Sequence, residues 1–127
     1  MRDLLASALI MAALIGTWLV FDGYSQDELA GFSAVISAEI IPAVEEESWD
    51  EGLTLVRALD SRWHDYRRRA LFFLETAEIN EIDFALAKAE KYMQARDVSN
   101  SSGELNSLAE QLDYMQEKQH ICTANIF

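Results

Sequence analysis

Eighteen consecutive residues from Leu4 to Phe21, LLASALIMAALIGTWLVF, carry no charged side chain. Wound as a helix they reach about 27 Å, close to the roughly 30 Å hydrocarbon thickness of a bilayer. Slight thinning of the membrane closes the difference. Trp18, Phe21 and Tyr24 gather at the C-terminal end, where amphipathic rings favour the headgroup layer. A core helix of a soluble protein would show a polar stripe, and here the polar side chains are Ser7 and Thr17. A cleaved signal peptide would end in small residues, whereas this stretch ends Trp18-Leu19-Val20-Phe21-Asp22. The expectation is an uncleaved anchor at residues 1–22, in contact with the lipid bilayer through Leu4 to Phe21, and a separate domain at 23–127.

Charge sets the expected orientation. Arg2 precedes the span; Asp22, Asp27 and Glu28 follow it, and the next basic residue is Arg57. The positive-inside bias then predicts a single-pass protein of the cell membrane, N-terminus cytoplasmic and C-terminal domain extracytoplasmic. Only Met1 to Asp3 would remain on the cytoplasmic side. Ten basic against twenty-two acidic residues give a formal charge of −12, which argues against a nucleic-acid partner. One Pro and five Gly argue against a β-sandwich or low-complexity linker. The lone Cys122 excludes an internal disulfide.

Beyond the span the pattern is helical throughout, and no stretch alternates with period two over strand length. Three capping-box matches, Ser25 to Glu28, Ser48 to Glu51 and Ser101 to Glu104, each precede an apolar periodic run. The first predicted helix covers about Gln26 to Val44, facing the core with Leu29, Phe32, Ile36 and Ile40, and Pro42 is expected to kink or end it. Gly23 leaves two alternatives open, a bend or one rod continuous with the anchor. The second runs from Trp49 to Leu74 with a stripe of Leu53, Val56, Leu59, Trp63, Tyr66 and Ala70. The third runs from Ala77 to Asp97 through Ile79, Ile82, Leu86, Ala89 and Met93. Val98 to Ser102 is predicted as a turn, and the fourth helix runs from Gly103 to His120 through Leu105, Leu108, Leu112 and Met115. The expected fold class is all-α, an N-terminal transmembrane helix followed by an antiparallel helical hairpin or bundle of about four helices.

Trp49-Asp50-Glu51 at a helix start, Trp63, Glu78-Ile79-Asn80-Glu81-Ile82-Asp83, Ala85-Leu86-Ala87, Tyr92-Met93, Glu104-Leu105 and the closing Asn125-Ile126-Phe127 appear in this order. In that order and spacing the chain resembles the domain of unknown function 4363 family, over nearly its whole length. It departs from the family at Leu74-Glu75-Thr76-Ala77, where the resemblance leads one to expect a His. What the resemblance implies is a topology of anchor plus helical domain, without an activity, and an accessory role beside a multi-span membrane protein.

Candidate chemistry is sparse. His120 and Cys122 supply two soft ligands and nothing nearby supplies a third, so no metal is expected. Glu45-Glu46-Glu47 with Asp50 and Glu51 lacks the alternating oxygen-ligand loop of a calcium site and reads as a solvated connection. Arg67-Arg68-Arg69 fans over about 200° of helix. It offers an anion contact, or ion pairs to Glu75, Glu78, Glu81 or Asp83 across the hairpin. Trp49, Trp63, Phe72 and Phe73 read as core or hairpin-packing residues. His64 reads as a surface imidazole within reach of Asp60. With no nucleophile elbow, phosphate loop or HExxH pattern, no enzyme and no cofactor are expected. The candidate interaction surface is Trp49, Trp63, Arg67, Arg68 and Arg69, meeting another membrane protein or a second copy of the chain. The alternative is an extracytoplasmic bundle that senses a ligand or metal.

Overall fold

The computed structural model describes the backbone of residues 1–71 and 76–126 and the side chains of residues 1–71 and 76–118. Phe72, Phe73, Leu74, Glu75, His120 and Cys122 therefore lie outside the described side chains. Every described element is helical. α1 spans Arg2–Glu45, α2 Trp49–Ala70, α3 Thr76–Gln94 and α4 Val98–Ile126.

α1 is one helix of 44 residues, about 66 Å long. It passes through Gly23 without a break, which resolves the alternative left open by the sequence. Its two halves live in different surroundings. Leu4, Leu9, Leu14 and Val20 are 75%, 70%, 67% and 75% exposed, whereas Leu29, Phe32, Ile36, Ile40 and Val44 are fully buried. This helix is long and apolar enough to cross a membrane.

Pro42 does not end α1, which continues to Glu45. The turn before the proline, Ile36–Ile40, is a π-helix in which the Ile41 N–H reaches back five residues to the Ile36 carbonyl. Proline contributes no N–H, and its ring crowds the carbonyl four residues earlier, so a wider turn upstream accommodates it. The wide turn also preserves the buried face. Phe32, Ile36, Ile40 and Val44 are spaced by four, a step that drifts about 40° each time in a regular α-helix. The π turn takes up that drift and returns all four side chains to the core.

α1 and α3 each end in a Schellman motif. Ser48 N–H bonds to Ala43 O at 2.8 Å and Glu47 N–H to Val44 O at 3.0 Å; Asp97 and Arg96 repeat this on Tyr92 O and Met93 O, both at 3.0 Å. Glu47 and Arg96 occupy the left-handed position, each with φ of 58°. These closures shorten the connections. Ser48 is the N-cap of α2 without a side-chain capping bond. Asp97 accepts from the Asn100 backbone N–H at 3.0 Å and the Asn100 side-chain amide at 2.6 Å. Those two donors hold its carboxyl below the usual carboxylate range, the backbone one contributing most.

Four expectations about boundaries are corrected. The second helix ends at Ala70 rather than Leu74, and the fourth runs on to Ile126 rather than His120. The third helix stops at Gln94 rather than Asp97, and Val98 to Ser102 is the first turn of α4 rather than a turn between helices. A polar Ser-Asn-Ser-Ser run is tolerated there because first-turn N–H groups have no intrahelical partner in any case. Of the three capping-box matches, Ser48 lies at a helix start, while Ser25 and Ser101 are helix-interior residues with no exposed surface.

The four helices form a ring in which α1 packs on α4, α4 on α3, α3 on α2 and α2 on α1. Neighbours are antiparallel. Between α2 and α3, Arg57 meets Glu90 and Arg67 meets Asp83; between α3 and α4, Glu78 meets Lys118 and Lys88 meets Glu104. One continuous core runs from Phe21 to Met115, and it contains all of the predicted stripe residues save Leu53, which packs partly buried against it.

Candidate interaction surface

α2 carries all five residues singled out in the sequence, and the bundle sends them in different directions. Trp49, in the first turn, is 8% exposed and Trp63 is 1% exposed. Both therefore belong to the core, as their helical spacing suggested, and burial takes them out of the candidate interaction surface. Trp63 belongs to an aromatic cluster between α1 and α2 that is centred on Tyr66. Its ring lies 5.4 Å from Tyr66 and 6.0 Å from Phe32, and Tyr66 in turn lies 5.7 Å from Phe32, 6.1 Å from Tyr24 and 6.5 Å from Phe21. Tilted and edge-on pairs at these separations add to what burial alone contributes.

Two polar links tie the cluster to its neighbours. Ser25 Oγ and Tyr66 Oη, both buried, share a hydrogen bond at 2.6 Å between α1 and α2. The Trp63 indole N–H donates to Asp83 Oδ1 on α3 at 2.6 Å. Asp83 Oδ2 also meets Arg67 Nε at 2.8 Å, an ion pair rather than an aligned hydrogen bond. One carboxylate thus accepts the buried indole's hydrogen bond and sits against the charge of a half-buried guanidinium.

The arginine triplet does not form one patch. Arg67 turns to Asp83 across the hairpin, one of the ion pairs foreseen from the sequence. Arg68 turns outward and pairs with Asp65 one turn earlier on its own helix. Arg69 turns to α1, donating to Tyr24 Oη at 2.8 Å with its guanidinium 5.3 Å from the ring centroid. Successive positions on a helix point about 100° apart, so each finds a different neighbour. Arg62, one turn before Tyr66, lies 5.2 Å from the centre of Phe32 and 3.7 Å from Glu28. His64 is exposed, with Nδ1 2.8 Å from the Asp60 carbonyl and 3.5 Å from its carboxylate.

Exposed aromatic surface lies elsewhere. Phe84 on α3 is 66% exposed and Tyr114 on α4 is 61% exposed. Sequence reasoning passed over both. Phe84 falls midway between the stripe residues Ile82 and Leu86, and Tyr114 falls between Leu112 and Met115, so each was marked as outward by being off the buried rhythm. Tyr114, Met115 and Gln111 line a shallow groove with Glu78, Glu81 and Ile82 between α3 and α4. The void at the centre of the bundle, walled by residues such as Phe32, Trp63 and Leu108, has room for about one water. Among the described residues, no three His, Cys, Asp or Glu side chains are placed to hold one metal ion.

No curated protein matches the chain, and no solved structure does. A family model, the domain of unknown function (DUF4363), matches residues 34–126. That range takes in the last part of α1 with its π turn, all of α2 and α3, and α4 to its end, and it leaves out the apolar opening of α1. By that match, which covers well over half of its length, the chain belongs to the DUF4363 family.

Proposed function

We propose that this protein is a single-pass membrane subunit whose helical bundle acts as an interaction or accessory module for another membrane protein. One observation carries the reading: α1 leaves the bundle as an unbroken helix on which Leu4, Leu5, Leu9, Ile10, Met11, Leu14, Ile15, Leu19 and Val20 all stay exposed. A helix of that length and composition is unstable in water and stable in lipid. Because no loop intervenes, whatever the bundle contacts is held at a set height above the bilayer. Arg2 before the span, with no further Lys or Arg until Arg57, supports a cytoplasmic N-terminus and an extracytoplasmic bundle. The side chains at the centre are committed to packing and internal hydrogen bonds, so the reading is one of binding rather than catalysis. A ligand-sensing bundle has less support, since the central void is about the size of one water.

The test is chemical cross-linking in intact cells of origin, followed by purification of the full chain in mild detergent. Recovery of a multi-span membrane protein in stoichiometric amount supports the proposal. A chain that purifies alone, monodisperse, and gains thermal stability from a metabolite or metal supports the sensor instead. Recovery of the chain from the soluble fraction after a salt wash refutes membrane anchoring.

A further inference from the structure

The four elements of the bundle lose their charges at one height. On α1 the last charged residue before the apolar stretch is Asp22. On α2 it is Arg69, hydrogen-bonded to Tyr24, and beyond it Leu71 is 41% exposed where the helix ends. On α3 and α4 the level is marked by Glu78 and Lys118, paired at 2.6 Å. α4 carries Glu110, Asp113, Glu117 and Lys118 in quick succession, then no acidic residue, lysine or arginine from Gln119 to Ile126.

α4 does not stop at this level. Its backbone stays helical to Ile126. Gln26 Nε2 donates to the Gln116 carbonyl at 3.0 Å, which sets the register between α1 and α4. The ten residues from Gln116 to Ile126 rise about 15 Å, and the same distance back along α1 from Gln26 arrives at Gly16. The charge-free end of α4 therefore runs beside α1 for about 8 Å past Phe21, into the stretch that fits a membrane. Within residues 4–20, Gly16 and Trp18 are the positions that lose part of their exposure.

From this register we propose that residues 119–126 of α4 are seated in the outer layer of the bilayer against α1. The inference rests on the membrane anchoring proposed above and adds a second contact with the lipid. A helix satisfies its own backbone groups, so it enters that layer without stranding them. Gln119, His120, Thr123 and Asn125 are uncharged or weakly basic side chains that the headgroup region accepts. Two helices entering the lipid side by side hold the bundle upright, its axis along the span.

The experiment is a nitroxide scan of the full chain in phosphatidylcholine–phosphatidylglycerol vesicles. Cys122 is labelled directly, and positions 119–121 and 123–126 are labelled as single cysteines in a Cys122→Ser background. Leu9→Cys reports the span and Ser99→Cys the far end of the bundle. Collisions with oxygen, which partitions into lipid, are compared with those of a water-soluble nickel complex. The expected result is oxygen in excess over nickel at Leu9→Cys and along one helical face of 119–126, with the reverse at Ser99→Cys. If all of 119–126 behave like Ser99→Cys, or are shielded from both reagents, this inference falls while the anchor stands. If Leu9→Cys also reports water, the anchoring falls with it.

Discussion

Replacing Asp83 tests the tie between α2 and α3. The Trp63 indole N–H, in a residue 1% exposed, reaches Asp83 Oδ1 at 2.6 Å. A hydrogen bond to a charged acceptor contributes about 1.5–3 kcal/mol, and stranding a buried donor costs about as much. The Arg67 pair adds little, because its side chains are 30% and 22% exposed and such pairs are worth about 0–1 kcal/mol. Asp83→Ala is therefore expected to destabilise the bundle by about 2–4 kcal/mol, a large part of a marginal stability. Asp83→Asn keeps a carbonyl oxygen for the indole and loses only the charge, so about 1 kcal/mol is expected. Urea unfolding of the full chain in mild detergent, followed by circular dichroism, reads both. Equal losses for the two variants would refute the reasoning, as would a shift below about 0.5 kcal/mol for Asp83→Ala, since either result means the indole bond contributes nothing.

The remaining predictions concern the backbone and its ends. Glu47→Gly and Arg96→Gly should each stabilise the fold by roughly 0.5–1 kcal/mol and so raise the urea midpoint, because only glycine takes the left-handed position without strain. The corresponding valine variants should lower it. A Cβ at Gly52 would lie 3.0 Å from Met93 Cε and 3.7 Å from Ala43 Cβ. The flexible Met93 end gives way to a methyl group, so Gly52→Ala should be near neutral, whereas Gly52→Leu should lose about 1–3 kcal/mol by overpacking. Asp97 titrates lower in the folded chain than in the unfolded one. Its contribution is present above the unfolded carboxylate pKa and disappears as pH falls through the folded value. Asp97→Asn should therefore flatten the acid limb of the stability profile, with no effect on its slope at neutral pH.

The buried stripes were legible because they are local. Ile79, Ile82, Leu86, Ala89 and Met93 keep to a three-and-four rhythm, and a helix places such positions on one face whatever it later packs against. The candidate surface was less legible. Adjacency put Arg67, Arg68 and Arg69 together in the sequence, yet their partners, Asp83, Asp65 and Tyr24, lie on three different helices. The π turn had a signal that went unused: the steps of four from Phe32 to Val44, followed through the proline.

Periodicity and the uncharged run from Leu4 to Phe21 by themselves settled that this chain is helical and that its opening is apolar enough for a membrane, since both follow from side-chain chemistry at fixed spacing. Tertiary structure decided where the helices break. Ser25-Gln26-Asp27-Glu28 is a sound capping box, and Gly23 precedes it, but Phe21, Ser25 and Leu29 are buried against the bundle and the helix runs straight through. At Ser101 the same happened, and Asp97 became the cap instead. A four-residue motif offers about 1 kcal/mol toward ending a helix. Burying several large side chains on a continuous face outweighs it, and only the packed fold shows which of these wins.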